Sequence, residues 1–195
     1  MKKIVLTLLV TLPLFTIAQS LRDRVHIKTD IYEVVYSEVL QQPTWVRYTV
    51  KCPNGTASRK GMDFYKVDSV KTSDDLDYFS NVYDKGHMAP AASFNCTREM
   101  LYKTYSYLNC SLQNQDLNRT TWRLLEARER LLANEHPKVE VTIECVFSKS
   151  SVKLTTGATV PDGYYKTIKY ANIVEKYYFN NSKPSTLDYS KYLIK

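Results

Sequence analysis

The sequence lacks any apolar run long enough to cross a membrane. Its longest apolar stretch, Ile4 to Ile17, is interrupted by threonines and a proline and falls short of the ~20 residues that a transmembrane helix needs. This stretch follows two lysines and precedes Ala18-Gln19-Ser20, an order typical of a secretory signal peptide. We therefore expect residues 1–18 to be removed on export. We also expect a secreted or periplasmic location and no stable membrane association.

The sequence also lacks internal repeats, low-complexity tracts and any linker long enough to divide it. Removing 18 of its 195 residues leaves 177, a length at which one domain can bury a substantial core. The expected organisation is therefore a single domain over residues 19–195.

Cysteines are few, and their spacing matches no metal-binding pattern. The four residues are Cys52, Cys96, Cys110 and Cys145. In an oxidising compartment they could form two disulfides, and three pairings are open. Alternatively, Cys145 is an unpaired core residue, because a free cysteine packs as a small hydrophobic side chain.

Acidic residues are fewer than basic ones, 20 against 27, which gives a formal charge of +7. Loss of the two lysines of the predicted signal leaves +5. This balance favours polyanionic partners only weakly. The sequence contains no base-reading element such as a zinc finger or a basic zipper, so any affinity for nucleic acid should come from phosphate contacts.

Several segments show the features of β-strands. Val139 to Phe147 alternates apolar and polar residues, the period-two signature of a strand with one buried face. Ile31 to Tyr36, Trp45 to Val50 and Tyr164 to Tyr170 are rich in aromatic and β-branched residues, which strands favour. The sixteen tyrosines are interpreted as packing residues of such a sheet; a base-stacking platform is the alternative.

One segment, Gln115 to Asn134, is dominated by residues that favour helices, with apolar residues at helical spacing. Asn118, Trp122 and Glu126 follow each other at intervals of four and drift only ~80° around a regular helix. We therefore expect these three side chains to share one face. Strands on either side of one main helix indicate an α+β fold.

His87 lies in a short turn-like segment between Gly86 and Pro90. Imidazole is well suited to accept a proton from water near neutral pH when a neighbour fixes its tautomer. The alternative is a histidine that is satisfied by backbone hydrogen bonds, and composition alone favours that alternative.

The segment Asp84-Lys85-Gly86-His87-Met88-Ala89-Pro90-Ala91-Ala92 resembles the D-R-G-H-x-A-P-A-A signature of the DNA/RNA non-specific endonucleases. Two further blocks resemble the N-x-x-P-Q-N and L-N-x-x-x-W-x-x-L-E motifs of that family and begin at Asn109 and Leu117. Weaker similarity extends over nearly all of residues 19–195. The resemblance implies a ββα-metal nuclease fold, an antiparallel sheet with a main helix that carries the metal ligand.

The resemblance also implies the chemistry. His87 would be the general base, Asn118 the direct ligand of one Mg²⁺ ion, and Glu126 a partner of the metal's water; Mn²⁺ is a candidate substitute ion. Magnesium prefers oxygen ligands and keeps most of its waters, which suits a single amide ligand. The implied substrates are DNA and RNA in single or double strands, and the implied products carry 5′-phosphates.

Other roles remain open for these helix residues. An asparagine near a helix start is often an N-cap, and Glu126 with Arg130 could form an ordinary ion pair along the helix. On a continuous helix Glu126 would lie ~12 Å from Asn118 along the axis, too far to share the metal's inner coordination. Glu126 would then act through water, or Asn118 would precede the helix.

The resemblance assigns further site residues. Arg59 and Arg130 resemble arginines on the phosphate side of the site, although an offset of ~18 Å from Asn118 argues against contact of Arg130 with the same phosphate. Asn109 matches an asparagine near the catalytic histidine, and the resemblance places it among the catalytic residues. Lys85 is a candidate substrate contact, and Asp84 is interpreted as a charge that organises the turn.

Three positions depart from the family pattern. Lys85 replaces the usual arginine, Ser93 a common aspartate and Leu112 the usual proline. Lysine keeps the charge of arginine but loses its planar pair of donors, so a lower rate is expected with the chemistry preserved. The departures also motivate the alternative of a catalytically weakened nucleic-acid-binding or interaction domain.

A nuclease effector delivered into other cells, with an inhibitor partner, is a further alternative; the oligomeric state stays open.

Overall fold

The computed structural model describes residues 21–194, so the predicted signal peptide lies outside the described residues. These residues form an α+β fold, as predicted. No helix among residues 21–194 is long and apolar enough to cross a membrane. The strands are β1 Val25–Lys28, β2 Tyr32–Ser37, β3 Gln42–Thr49, β4 Tyr83–His87, β5 Cys110–Asn114, β6 Val139–Val146, β7 Gly163–Tyr170, β8 Ile173–Asn180 and β9 Leu193–Ile194.

The helices are short except for one run. They are α1 Asp75–Tyr78, α2 Arg98–Lys103, α3 Gln115–Leu117 and α4 Arg123–Glu135, with a π-helical turn over Asn118–Trp122 that joins α3 to α4. Three 3₁₀ turns lie at Ala91–Ser93, Tyr107–Asn109 and Tyr189–Tyr192.

Seven strands form one antiparallel sheet in the order β1-β2-β3-β6-β7-β8-β9. The four strands predicted from the sequence all lie in it, with ends shifted by at most three residues. In β6, residues 139, 141, 143 and 145 are buried and alternate with more accessible ones, which confirms the period-two prediction. Cys145 is an unpaired core residue, as one of the alternatives held.

The helical run packs against one face of this sheet and closes the core. Trp122 and Leu125 are fully buried there, and the Trp122 ring contacts the rings of Tyr164 and Phe179. Eight tyrosines are buried, in agreement with the packing interpretation. The helical run is fixed on the sheet by this apolar contact, so residues on its opposite side can line a site.

A second, two-stranded sheet pairs β4 with β5, and Gly86 opposes Ser111 in its register. A Cβ at Gly86 would lie 2.5 Å from the side chain of Gln113, so only glycine allows this close approach. The helical run begins directly after β5, because Asn114 caps it by accepting hydrogen bonds from Asp116 N and Leu117 N. The antiparallel β4-β5 pair and the run together form a ββα unit, as the family resemblance implies.

One disulfide joins Cys52 to Cys96, with 5.4 Å between the Cα atoms. Cys110 and Cys145 are buried and free. Of the disulfide pairings left open by the sequence, the structure therefore contains one bridge, and the other two cysteines are core thiols.

Candidate active site

The end of β4 and the helical run enclose a cavity of about 410 Å³ that gathers most of the predicted site residues. It is lined by Arg59, His87, Pro90, Ala91, Ala92, Asn118, Arg119, Arg123, Glu126 and Arg130. Five predicted residues therefore meet here: Arg59, His87, Asn118, Glu126 and Arg130.

His87, the last residue of β4, presents its ring between aromatic side chains. The ring centroids of Phe64 and Tyr105 each lie 4.8 Å from that of His87. Nε2 of His87 is buried and has no hydrogen-bond partner among residues 21–194. Packing, and not a hydrogen bond to a carboxylate, therefore orients this ring.

Burial, and then the positive charge of Arg59, lower the pKa of His87 to about 3. Burial acts this way because the imidazolium loses the solvation that stabilises its charge. The imidazole is therefore neutral near pH 7, and Nε2 can accept a proton. The alternative interpretation, a histidine whose ring is satisfied by hydrogen bonds to the backbone, does not hold for Nε2, which has no partner among residues 21–194.

Asn109 holds the chain just after His87 but does not line the cavity. Its buried amide accepts a hydrogen bond from Ala89 N at 2.7 Å and donates to the carbonyls of Ala89 and Thr104 at 2.9 Å each. Met88 N donates to the carbonyl of Asn109 at 2.9 Å. Asn109 is therefore not a catalytic residue as predicted, because its side chain makes hydrogen bonds only with backbone groups; it is a clamp on the backbone that carries His87.

Asn118 is oriented by Asp84 of β4. Its Nδ2 donates to a carboxylate oxygen of Asp84 at 2.9 Å, which leaves Oδ1 without a donor in the described part of the chain. Arg119 binds the same carboxylate through two nitrogens, at 2.8 and 2.6 Å. Asp84 therefore organises the start of the helical run and not the turn around His87, for which the sequence had suggested it. Asn118 is not the N-cap of the helix, because Asn114 fills that position.

The π turn explains why Asn118 and Glu126 line the same cavity. A turn with i→i+5 hydrogen bonds accommodates one extra residue, so the offset between these side chains around the axis falls from about 80° to about 20°. The prediction that Trp122 shares this face is wrong, because its ring is fully buried in the core. A regular helix was the wrong assumption for this segment.

Glu126 lies between the cavity and a buried charge pair. Burial raises its pKa to about 7, opposed by Lys166 and Arg130 and reinforced by Glu129. Lys166 and Glu129 form a fully buried ion pair at 2.6 Å behind it. Arg130 donates to the backbone carbonyl of Glu126 at 3.0 Å, so the alternative of an ion pair between these two side chains is wrong.

Lys85 lies outside the cavity lining. Its ammonium pairs with Asp75 and Asp63 and lies over the rings of Phe64 and Tyr107, 5.4 and 5.6 Å from their centroids. It therefore supports the aromatic packing around His87, and its charge is already paired within the protein.

Arg119 and Arg123 line the cavity but were missed from the sequence. Their spacing could have indicated them. Positions 119, 123, 126 and 130 are separated by four, three and four residues, and residues at such intervals lie on one helical face. No acidic side chain lies within ion-pair distance of Arg59, Arg123 or Arg130 among the described residues. The cavity wall is therefore strongly cationic.

The arrangement can accept a proton, hold a cation and bind phosphate. Among residues 21–194, no cluster of three or more His, Cys, Asp or Glu could hold a metal ion. A metal in this cavity would therefore depend on the free Oδ1 of Asn118, an oxygen of the type that magnesium prefers.

Residues 14–193 match the sequence model of the DNA/RNA non-specific endonucleases. A segment of 90 residues, 45% of this chain, is 30% identical to mitochondrial endonuclease G of Bos taurus and covers 30% of that protein. A segment of 114 residues, 54% of this chain, is 32% identical to a mitochondrial nuclease of Saccharomyces cerevisiae and covers 34% of it. The chain thus spans about a third of the length of these relatives.

The fold is similar to that of a crystal structure of the EndoG/EndoGI complex, described as showing the mechanism of EndoG inhibition. The TM-score is 0.75 at 24% identity, over 87% of this chain and 80% of that one. This likeness shows the shared fold and supports the ββα assignment.

Proposed function

The chain belongs to the DNA/RNA non-specific endonuclease family, and from this premise we propose that it hydrolyses phosphodiester bonds of DNA and RNA, in single or double strands, with one Mg²⁺ ion. One observation carries the proposal. A single cavity is lined by His87, Asn118 and several arginines. Among residues 21–194, Nε2 of His87 has no hydrogen-bond partner and Oδ1 of Asn118 accepts no hydrogen bond.

His87 acts as the general base in this proposal. Its neutral Nε2 takes a proton from a water, which then attacks phosphorus in line with the leaving oxygen. Since the pKa of the free protein's His87 is about 3, the ring is unprotonated throughout the neutral range. Phosphate in the cavity would favour the protonated form and so strengthen His87 as a base. By family resemblance the products carry 5′-phosphates.

Asn118 is the residue that would hold the metal. When bound, Mg²⁺ would polarise the phosphate and stabilise the charge that develops on the leaving oxygen. Asp84 fixes the amide so that nitrogen faces the carboxylate and oxygen stays free. The Glu126 carboxyl, whose pKa of about 7 would fall near a cation, would accept hydrogen bonds from metal-bound water. Mn²⁺ is proposed as a substitute ion.

The arginines of the cavity wall support binding that does not depend on base sequence. Arg59, Arg123 and Arg130 offer guanidinium groups, which pair well with phosphate oxygens. Phosphate contacts position a nucleic acid without reading its bases. We therefore propose that all three arginines bind the backbone of the substrate, and that Arg130 reaches the same cavity as Asn118.

The three departures from the family pattern leave the cavity intact. Lys85 is paired with acids behind His87, and Ser93 is buried. Leu112 N donates to Oε1 of Gln42 at 2.9 Å, a hydrogen bond that proline could not make. No observation in residues 21–194 therefore favours the weakened binding domain over the nuclease.

Export to an oxidising compartment is proposed from the signal-like start and is supported by the Cys52–Cys96 bridge. Disulfides persist in secreted and periplasmic proteins and are rare in the reducing cytosol.

The test is hydrolysis by the purified chain without residues 1–18. Plasmid DNA and a structured RNA are incubated with Mg²⁺, with Mn²⁺, or with a chelator. We expect both substrates to be degraded with either ion and neither with chelator. Intact substrates in the presence of Mg²⁺ would favour the binding-domain alternative, and degradation in chelator would refute the metal requirement.

A further inference from the structure

Arg59 reaches the cavity on a segment that has no helix or strand of its own. This segment, residues 52–61, is called the Arg59 arm below. Its only regular features are turns. The Arg59 side chain is exposed and forms no hydrogen bond with another described residue, so nothing but the course of the arm places its guanidinium at the cavity.

The base of the arm is bound to the end of the 3₁₀ turn of Ala91–Ser93 and to the segment that follows it. Both Lys51 N and Cys52 N donate to the carbonyl of Ser93, at 3.1 and 3.0 Å. The Cys52–Cys96 disulfide adds a covalent link at the same place. This base therefore stays next to the chain that leads from the cavity wall at Ala91.

The middle of the arm is held by Asn95. Ala57 N donates to the carbonyl of Asn95 at 2.9 Å, and Nδ2 of Asn95 donates to the carbonyl of Gly55 at 2.8 Å. A Cβ at Gly55 would lie within 2.5 Å of Asn95, so the two segments touch. Ala57 and Met62 also pack near Leu101 of α2.

The tip of the arm is held by one side chain, Arg98, the first residue of α2. Its Nη1 donates to the carbonyl of Ser58 at 3.1 Å and its Nη2 to the carbonyl of Lys60 at 3.0 Å. These carbonyls flank Arg59 on both sides. A planar guanidinium can reach both at once, whereas an ammonium is a single point of charge.

We propose that Arg98 and the Cys52–Cys96 disulfide are positioning elements of the substrate site, which hold the arm so that Arg59 meets a phosphate in the cavity. This inference rests on the proposed nuclease function. An arm that is ordered before binding spares the substrate the cost of ordering it. Arg98 itself does not line the cavity.

Coupling between Arg98 and Arg59 tests the inference. We expect Arg98→Met to lower kcat/KM by roughly 3- to 10-fold when Arg59 is present, the scale of one weakened charge-assisted contact. In an Arg59→Ala background the same change should have no further effect, since the residue that it positions is gone. Arg47→Met, which removes an exposed cation paired with Glu33, is the matched control and should leave kcat/KM unchanged.

The disulfide is tested in the same way. The double variant Cys52→Ser/Cys96→Ser should lower kcat/KM only while Arg59 is present. Mild thiol reduction should reproduce the effect, because Cys96 is exposed. Circular dichroism verifies that each variant is folded.

Limited trypsin digestion provides a readout that does not depend on hydrolysis of nucleic acid. Trypsin cuts after Arg59 and Lys60, and cleavage there requires the arm to leave its place. We expect several-fold faster cleavage at these two sites in Arg98→Met and in the disulfide variant, with Arg98→Lys close to Arg98→Met.

The outcomes separate the inference from the proposed function. If the unmodified protein hydrolyses neither DNA nor RNA, the proposed function fails, and trypsin alone decides whether the arm is held as described. If the protein is active, equal losses of kcat/KM with and without Arg59, or no loss at all, overturn the inference. Unchanged cleavage at the arm in Arg98→Met overturns it as well.

Discussion

Substitution of Asn109 tests whether this residue takes part in the reaction or only positions His87. Its fully buried amide makes three hydrogen bonds, two with Ala89 and one with Thr104, directly after the strand that ends at His87. Substitution by alanine would leave all three backbone groups without a partner. We expect Asn109→Ala to lose both stability and activity.

The size of the effect follows from these contacts. Each buried backbone group without a partner costs ~1–3 kcal/mol, and the groups are close enough that one entering water could satisfy more than one of them. The free energy of unfolding should therefore fall by about 3–5 kcal/mol. For a domain of this size ~1 kcal/mol corresponds to ~2–4 °C, so Tm should fall by roughly 6–20 °C.

Thermal unfolding followed by circular dichroism measures this change, and hydrolysis is assayed well below both Tm values. His87→Ala is the comparison variant. It loses aromatic contacts worth about 1–2 kcal/mol but leaves no new polar group without a partner. A variant Asn109→Ala with the Tm of the unmodified protein and no activity would refute the positioning role and make Asn109 a participant in the reaction.

Three further predictions follow from the site. Asn118→Ala should abolish saturation by Mg²⁺ in the working range, and Asp84→Ala, which frees the amide, should raise the Mg²⁺ concentration at half-maximal rate by ~10–100-fold; unchanged titrations would place the metal elsewhere. With chelator present, the Tm of Glu126→Gln should rise relative to the unmodified protein as pH increases from 4.5 to about 7. The sign follows because a folded-state pKa of about 7 lies above the ordinary 4.5, so the native state loses stability over this range; a constant Tm difference would contradict it. Arg123→Ala should reduce the salt slope of DNA binding by about one unit, equally for unrelated duplexes, whereas Arg47→Ala should not change it.

Sequence periodicity predicted part of the fold, and the family motifs selected candidate residues that lie together in the folded chain. The alternation in β6 was enough to predict its buried face, because a strand with one covered side has a period of two. His87, Asn118, Glu126 and Arg59 were named from motifs, and all four line one cavity. These predictions depended on residues close in sequence, which local patterns describe well.

The remaining features depend on contacts between distant segments. A π turn inside a helix leaves no mark on the apolar pattern, so the burial of Trp122 could not be read from spacing. Lys85 has the charge of a phosphate ligand, but Asp63 and Asp75 approach it only in the folded chain. Arg98 acts through two backbone carbonyls, which no side-chain motif reports.

The central claim is that His87 removes the proton from the attacking water while other residues bind the substrate. Its most direct test is the single-turnover cleavage rate of a prebound DNA duplex by His87→Ala at saturating Mg²⁺. The account predicts a rate lower by ~10²–10⁴-fold, with a dissociation constant for the duplex within about threefold of the unmodified protein, because the loss acts in the transition state. Cleavage by His87→Ala at the unmodified rate would contradict the account and remove His87 from the mechanism.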